Sequence, residues 1–211
     1  LTTGLSIPPG ACLTGAADGN IQRELPTQLA GIEVVFEYFH PAPILAICKT
    51  PDGGDQINVQ VPFGLAPGTN LRADVRTGIG TSSEMTVTVT DLEITNALPG
   101  IFEYQASASA RAAVALRPDG TVVSPTNPAK RGEEVRLYTT GLGPVLPVNG
   151  VEVKTNQPGY PGQKPFFATS VQLGGAGVAG VTAEYAQNLI GVFIVTFQVP
   201  PDAPVGDAVP V

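Results

Sequence analysis

Alternation of apolar and polar residues is the clearest pattern in this chain. Residues 56–62 place isoleucine or valine at every second position before a proline, and residues 193–200 repeat the arrangement with phenylalanine and valine. A period of two predicts a half-buried β-strand, and proline ends it because it has no N–H to donate to the ladder. The same pattern predicts further strands at 32–38, 71–75, 85–89 and 135–139, and strands are also expected at 44–48, 168–173, 178–185 and 205–211.

Between these strands lie segments without alternation. Residues 4–30 and 141–167 are each predicted to be a long loop, and loops of this length are usually functional or disordered. The Ala-rich segment 105–115 lacks an amphipathic stripe and is predicted to be a loop that enters a strand. Residues 116–122 contain Pro-Asp-Gly, which is typical of a hairpin turn.

An internal repeat organises the whole chain. Thr2–Leu5 recurs as Thr139–Leu142, an offset of 137, and the same offset relates Ala66-Pro67 to Ala203-Pro204. A near-constant offset over this distance predicts duplication of a whole β-domain. We therefore expect one domain at 1–98 and a second at 99–211. We also expect the first strand of the first domain and the last strand of the second to lie outside this sequence.

Composition narrows the class of protein. The chain has 211 residues, of which 43% are hydrophobic, with 25 glycines and 21 prolines, as expected for many short strands joined by tight turns. Its formal net charge of −7 argues against binding to nucleic acid or to an anionic membrane surface. No apolar run reaches the roughly 18 residues of a membrane span, so we expect no membrane insertion.

Five segments in a fixed order resemble a known family. They are Gln-Ile-Asn-Val-Gln-Val-Pro (56–62), Leu-Pro-Gly-Ile-Phe (98–102), 113–120, Asn-Pro-Ala-Lys-Arg-Gly-Glu (127–133) and Leu-Tyr-Thr-Thr-Gly-Leu-Gly-Pro-Val (137–145). The series is similar to the uncharacterised Solibacter-type C-terminal domain, which is common at the ends of large secreted acidobacterial proteins. The resemblance implies an all-β fold of two tandem Ig-like antiparallel β-sandwiches, located outside the cell or on its surface. It implies no activity and no functional residues.

The chain contains two cysteines, Cys12 and Cys48. An even number in an exported protein predicts one disulfide, and the alternative is two unpaired thiols. The bond would close a loop of about 36 residues and contribute on the order of 3 kcal/mol. The repeat aligns Cys48 with Tyr185, so the cysteine pair belongs to one domain alone.

Catalytic chemistry has few candidates. His40 is the sole histidine, it precedes a proline, and no Gly-x-Ser-x-Gly motif is present. Paired carboxylates are the remaining option, as in a glycosidase, and by residue type Asp52, Asp55, Glu133 and Glu134 qualify. All four lie in or beside predicted turns, where acids usually only solvate the loop. We therefore expect no enzyme, and a glycosidase-type hydrolase is the last alternative.

Calcium is a weaker hypothesis. Asp18, Asn20, Asp52 and Asp55 offer oxygen ligands on Gly-rich loops, which hard cations favour. They do not fit the EF-hand pattern, and such residues are common in turns for backbone reasons alone. No other cofactor is expected.

Aromatic residues in the second long loop suggest a partner contact. Tyr160 lies between two Pro/Gly pairs, and Phe166 and Phe167 follow. Tyrosine joins an apolar face to a polar tip, so we expect contact with a protein or a polysaccharide at the cell surface. The alternative is that the loop only seals one end of the domain. The sequence therefore favours a non-catalytic structural or interaction module at the C-terminal end of a larger secreted protein, with a carbohydrate-binding accessory domain as the alternative.

Overall fold

The structure, a computed structural model, describes residues 7–15, 24–108, 110–206 and 209–211. These ranges form 17 β-strands and no helix, and every strand pair is antiparallel. The predicted all-β class is confirmed. The chain divides into two compact units: unit 1 runs to Asn96 and adds Val153–Pro158 and Asn188–Ile190, while unit 2 has the remainder from Ala97 onwards.

Unit 1 has eight strands in two sheets. They are β1 (Cys12–Thr14), β2 (Gln28–Leu29), β3 (Ile32–Phe36), β4 (His40–Pro41), β5 (Ile44–Lys49), β6 (Asp55–Val59), β7 (Gly68–Thr77) and β8 (Met85–Ile94). One sheet has the order β1-β5-β6, and the other has the order β2-β3-β7-β8 with β4 beside β3. Their inner faces share one core, which includes Val34 from β3, Ile44 and Ile47 from β5, and Val75 from β7. This packing gives unit 1 a sandwich-like architecture.

Unit 2 is built on one larger sheet. Its strands are β9 (Gly100–Ile101), β10 (Glu103–Gln105), β11 (Arg111–Ala113), β12 (Ala115–Leu116), β13 (Glu134–Thr140), β14 (Gln172–Leu173), β15 (Ala176–Gly177), β16 (Thr182–Tyr185) and β17 (Phe193–Gln198). The order of the sheet is β12-β13-β17-β16, with β9 also on β13, while β10-β11 and β14-β15 form separate pairs. Leu137, Tyr185 and Val195 of this sheet are buried, and the Tyr185 and Phe193 rings meet edge to face at 5.0 Å.

The two units contain hairpins with the same register. Cys48 faces Gln56 in the β5–β6 pair, and Tyr185 faces Phe193 in the β16–β17 pair. Each residue of the second pair lies 137 positions after its counterpart in the first, which is the offset of the sequence repeat. The sequence offset therefore relates residues at the same place in the two hairpins. Thr2–Leu5, the start of the repeat, lies outside the described residues.

Several sequence predictions differ from the structure, and among them the strands predicted at 168–173 and 178–185 are limited to β14 and β16, with β15 between them. The strand predicted at 32–38 ends at Phe36, because Glu37 and Tyr38 have positive φ and form a turn. The predicted loop 4–30 contains β1 and β2, which are too short to show alternation. A strand was also predicted at 205–211, and the described part of this segment forms none. Pro210 has no N–H to donate to a ladder, and its carbonyl accepts a single hydrogen bond, from the Gly174 N–H.

Candidate functional site

Tyr160 is exposed on a turn that hydrogen bonds to a buried glutamine hold in place. Its side chain is 45% exposed, whereas that of Gln163 is fully buried. The Tyr160 N–H donates to Gln163 Oε1 at 2.7 Å, and the Gln163 N–H returns a bond to the Tyr160 carbonyl at 3.2 Å. Gln163 Nε2 also donates to the Val151 carbonyl at 3.3 Å. The backbone of the turn is therefore pre-formed, so little backbone entropy remains to be lost when the tyrosine meets a partner.

Gly159 explains how closely this turn lies against β16. Its N–H donates to the Ala186 carbonyl at 2.8 Å, and a Cβ at this position would lie 2.5 Å from the Tyr185 carbonyl oxygen. No side chain fits in that space, so glycine is required by the close approach of the two backbones.

Phe166 and Phe167 form an aromatic pair at the edge of a cavity in unit 2. Their rings meet edge to face at 5.1 Å, and Phe166 is 60% exposed. Phe167 lines a cavity of about 230 Å³, whose wall includes Leu137 and Val195 of the sheet. Pockets for drug-sized ligands are usually larger, at about 300–1,000 Å³. The cavity has the size for a single side chain or a small apolar group.

A second exposed aromatic pair lies in unit 1, at the end of the strand predicted at 32–38. Phe39 is 84% exposed and Tyr38 is 55% exposed at the tip of the β3–β4 hairpin. Glu37 and Tyr38 both have left-handed backbone conformations, with φ of 44° and 68°. Such conformations cost on the order of 1 kcal/mol or more for each residue that is not glycine. The surrounding structure must therefore hold this turn.

Arg72 of β7 holds the hairpin tip. Its backbone N–H donates to Glu37 Oε1 at 2.6 Å, and its carbonyl accepts from the Glu37 N–H at 3.1 Å. Its guanidinium donates to the Tyr38 hydroxyl at 2.7 Å and stacks 4.1 Å from the centre of the Tyr38 ring. Neither the contacts of Arg72 with Glu37 nor those with Tyr38 are indicated by the residues next to the turn. The alternation breaks at the adjacent aromatics Tyr38 and Phe39, and that break is the one sign of the turn in the sequence.

Asp74 in turn fixes Arg72. The guanidinium of Arg72 and the hydroxyl of Thr88 both donate to Asp74 Oδ1. These two hydrogen bonds, the one from Arg72 first, hold the pKa of the buried Asp74 carboxyl below its usual range. Asp74 likewise raises the pKa of Arg72, so this ion pair is charged at every physiological pH.

The predicted disulfide is confirmed and lies at the edge of a unit 1 sheet. Cys12 on β1 faces Cys48 on β5 directly, and their Sγ atoms are bonded. Cys12 is exposed, and both cysteines of the described chain are engaged in this bond. A disulfide indicates an oxidising, extracellular environment.

The candidate acids each have a local partner. Asp55 pairs with Lys49 at 2.9 Å, and Asp52 accepts from the Thr50 hydroxyl, which lowers the pKa of the Asp52 carboxyl. Glu133 Oε2 accepts from the Lys130 N–H at 2.9 Å, and this bond is the main cause of a lowered Glu133 pKa. The remaining acid also has a basic neighbour, since Glu134 pairs with Arg136 at 3.4 Å.

Calcium coordination stays a prediction. Asp18 and Asn20 lie outside the described residues. Within the described part of the chain, no group of three His, Cys, Asp or Glu side chains is placed to hold a metal ion. Asp55 accepts a hydrogen bond from the Lys49 ammonium, which would compete with a cation for that carboxylate.

Membrane insertion and similarity to known proteins add two findings. In the ranges that the structure describes, no helix has the length and apolar character needed to cross a bilayer. No protein-family model, curated protein or solved structure matches the chain.

Proposed function

We propose that this chain is a non-catalytic interaction module outside the cell or on its surface, at the C-terminal end of a larger secreted protein. In this proposal the two units are Ig-like β-sandwiches that arose by duplication. The sequence resemblance to the Solibacter-type domain supports both statements. The shared register of the β5–β6 and β16–β17 hairpins, at the offset of the repeat, supports the duplication.

Aromatic side chains exposed on rigid turns are the observation that carries the proposal. Contiguous exposed apolar patches mark sites of interaction, and aromatic residues are enriched among the side chains that contribute most to binding. Buried Gln163 fixes the backbone of Tyr160, and Phe166 packs on Phe167, so the Tyr160 turn and the phenylalanine pair are in place before a partner binds. The partner is a protein or a polysaccharide at the cell surface.

Carbohydrate binding is the second candidate, and the geometry of Tyr160 favours it. A half-exposed tyrosine offers its ring face to the apolar face of a sugar and its hydroxyl to a sugar oxygen. The purified protein should then be retained on particular members of a panel of insoluble polysaccharides, tested with and without calcium. Tyr160→Ala should release it, whereas Val205→Ala, which truncates a more exposed but non-aromatic side chain, should not.

The same panel tests the proposal as a whole. If the protein passes every polysaccharide without retention, carbohydrate binding is refuted, and a protein-binding or structural module remains. Retention that requires calcium would support the predicted calcium site, whose ligands include Asp18 and Asn20. Release of soluble sugar by the wild type, but not by a Glu133→Gln or Asp52→Asn variant, would refute a non-catalytic role.

A further inference from the structure

The β8 strand forms an edge of the four-stranded sheet in unit 1. Among the described residues β8 pairs with β7 alone, so one side of its backbone has no strand beside it. Natural edge strands are usually protected by lysine, by proline or by inward-pointing charges. Residues 85–89, Met-Thr-Val-Thr-Val, contain none of these. This five-residue segment is called the β8 edge below.

The direction of each backbone group on the β8 edge follows from one hydrogen bond across the sheet. The Glu37 N–H donates to the Arg72 carbonyl, so the backbone groups of Arg72 point towards β3. Backbone direction alternates along an antiparallel strand, so Val75 points towards β8 and towards its partner Val87. The N–H and C=O groups of Thr86 and Thr88 therefore point away from β7, towards the open side.

The side chains of the β8 edge also separate by face. Met85, Val87 and Val89 lie on the sheet face that carries core residues Ala73 and Val75. Even so, Met85 is 63% exposed and Val89 is 39% exposed. An apolar stripe on the core side of a sheet thus remains accessible, and a further strand added to this edge would cover it.

We propose that a second copy of this chain pairs with the β8 edge, strand to strand, about a two-fold axis at Val87. In that register Thr86 faces Thr88 of the partner copy and exchanges both backbone hydrogen bonds with it, giving about four such bonds across the axis. Val87 faces Val87, and Met85 faces Val89, so all apolar side chains meet on one face. The segment is its own complement, as a two-fold interface requires.

The self-complementary sequence favours a second copy as the occupant, and charge determines where two copies can meet. The chain carries a net charge of −7, so two copies repel each other in general. The five residues of the β8 edge carry no charge, and in the proposed register the nearest like charges, Glu84 and Asp91, come near each other only beyond its two ends. The contact is small, below the roughly 1,200 Å² of total buried surface in stable complexes, so the dimer belongs to the weak class. Its affinity should rise with salt, because salt screens the overall repulsion.

Sedimentation velocity of the whole chain at concentrations up to about 500 μM tests the dimer, since weak interfaces require high concentration. The wild type should shift from monomer to dimer as concentration rises. Thr86→Pro should stay monomeric, because it removes an outward N–H while leaving the β7–β8 ladder intact. Thr86→Val, which keeps that N–H, should dimerise like the wild type. A wild type that stays monomeric throughout, or a Thr86→Pro variant that dimerises equally, would overturn the proposal.

Cross-linking tests the register and does not depend on how the proline variant folds. Val87→Cys places two cysteines opposite each other about 4.5 Å apart between Cα atoms, within reach of a disulfide. Under mild oxidation this variant should give a covalent dimer on a non-reducing gel. Thr86→Cys should not, since its counterpart in the partner lies diagonally away and faces Thr88. Equal cross-linking of both variants, or none for Val87→Cys, would refute this pairing.

Discussion

Asn156 offers the sharpest test of how unit 1 is held together. This residue belongs to the Val153–Pro158 segment of unit 1, and its side chain binds the backbone of Leu25 twice. The Leu25 N–H donates to Asn156 Oδ1, and Asn156 Nδ2 donates to the Leu25 carbonyl, both at 2.7 Å. We predict that Asn156→Ala destabilises unit 1, because it removes both bonds and leaves two polar groups of buried Leu25 without partners.

The magnitude follows from two contributions. Each hydrogen bond is worth about 0.5–1.5 kcal/mol net, and an unpaired buried group costs about 1–3 kcal/mol. The backbone adds a second contribution, since Asn156 has φ of 68°, a conformation that asparagine tolerates better than alanine. The sum is about 2–4 kcal/mol. Asn156→Gly loses the same side chain but suits that backbone, so it should cost about 1 kcal/mol less than alanine.

Urea unfolding followed by far-ultraviolet circular dichroism measures these differences, and the chain's lack of tryptophan makes this the natural probe. The bond from the Asn156 N–H to Gln60 Oε1, at 2.8 Å, involves only the backbone of residue 156 and should survive in both variants. If alanine and glycine each lower the free energy of unfolding by less than about 0.5 kcal/mol, the two bonds to Leu25 do not stabilise unit 1 and the reasoning fails.

Three further predictions concern other parts of the fold. Reduction of Cys12–Cys48, which are separated by 36 positions, should lower the free energy of unfolding by about 3–4 kcal/mol, and equal urea midpoints with and without reductant would contradict this. The stabilisation due to Asp74 is present above its unfolded pKa of about 3.9 and is lost as pH falls through its lower folded pKa. In Asp74→Asn the free energy of unfolding should therefore fall less steeply below about pH 4 than in the wild type. Parallel declines of the two proteins would exclude that role. Gly159→Ala should destabilise unit 2 by at least about 1 kcal/mol, because its Cβ would meet the Tyr185 carbonyl, and an unchanged melting temperature would show that the backbone moves freely there.

The parts of the fold that the sequence predicts are those with local causes. Alternation is sufficient for β13 and β17, because buried residues alternate with less buried ones along each strand. The β3–β4 turn was missed because its conformation depends on Arg72, which lies 35 positions from Glu37. No turn residue marks it. At this turn the contacts with Arg72, and not the local preference for a β-strand, determine the backbone conformation.

The candidate site divides in the same way. Residue type and loop context identified Tyr160 and Phe166 as accessible aromatics, and the cysteine count identified the disulfide. Buried Gln163 could not be identified, because glutamine is usually exposed and only the folded turn shows its bonds. The role of Asn156 was equally hidden, since its partner Leu25 is 131 positions away.

The membership of unit 1 has a consequence for how the protein is made. Val153–Pro158 and Asn188–Ile190 complete a unit whose other residues end at Asn96. A ribosome adding about 5–20 residues each second takes on the order of 5–20 s to travel from the codon of Asn96 to that of Ile190. Until Asn156 is translated within that interval, the nascent chain contains Leu25 without the side chain that pairs with its polar groups. Unit 1 is thus the first to begin folding and cannot finish until most of unit 2 has been translated.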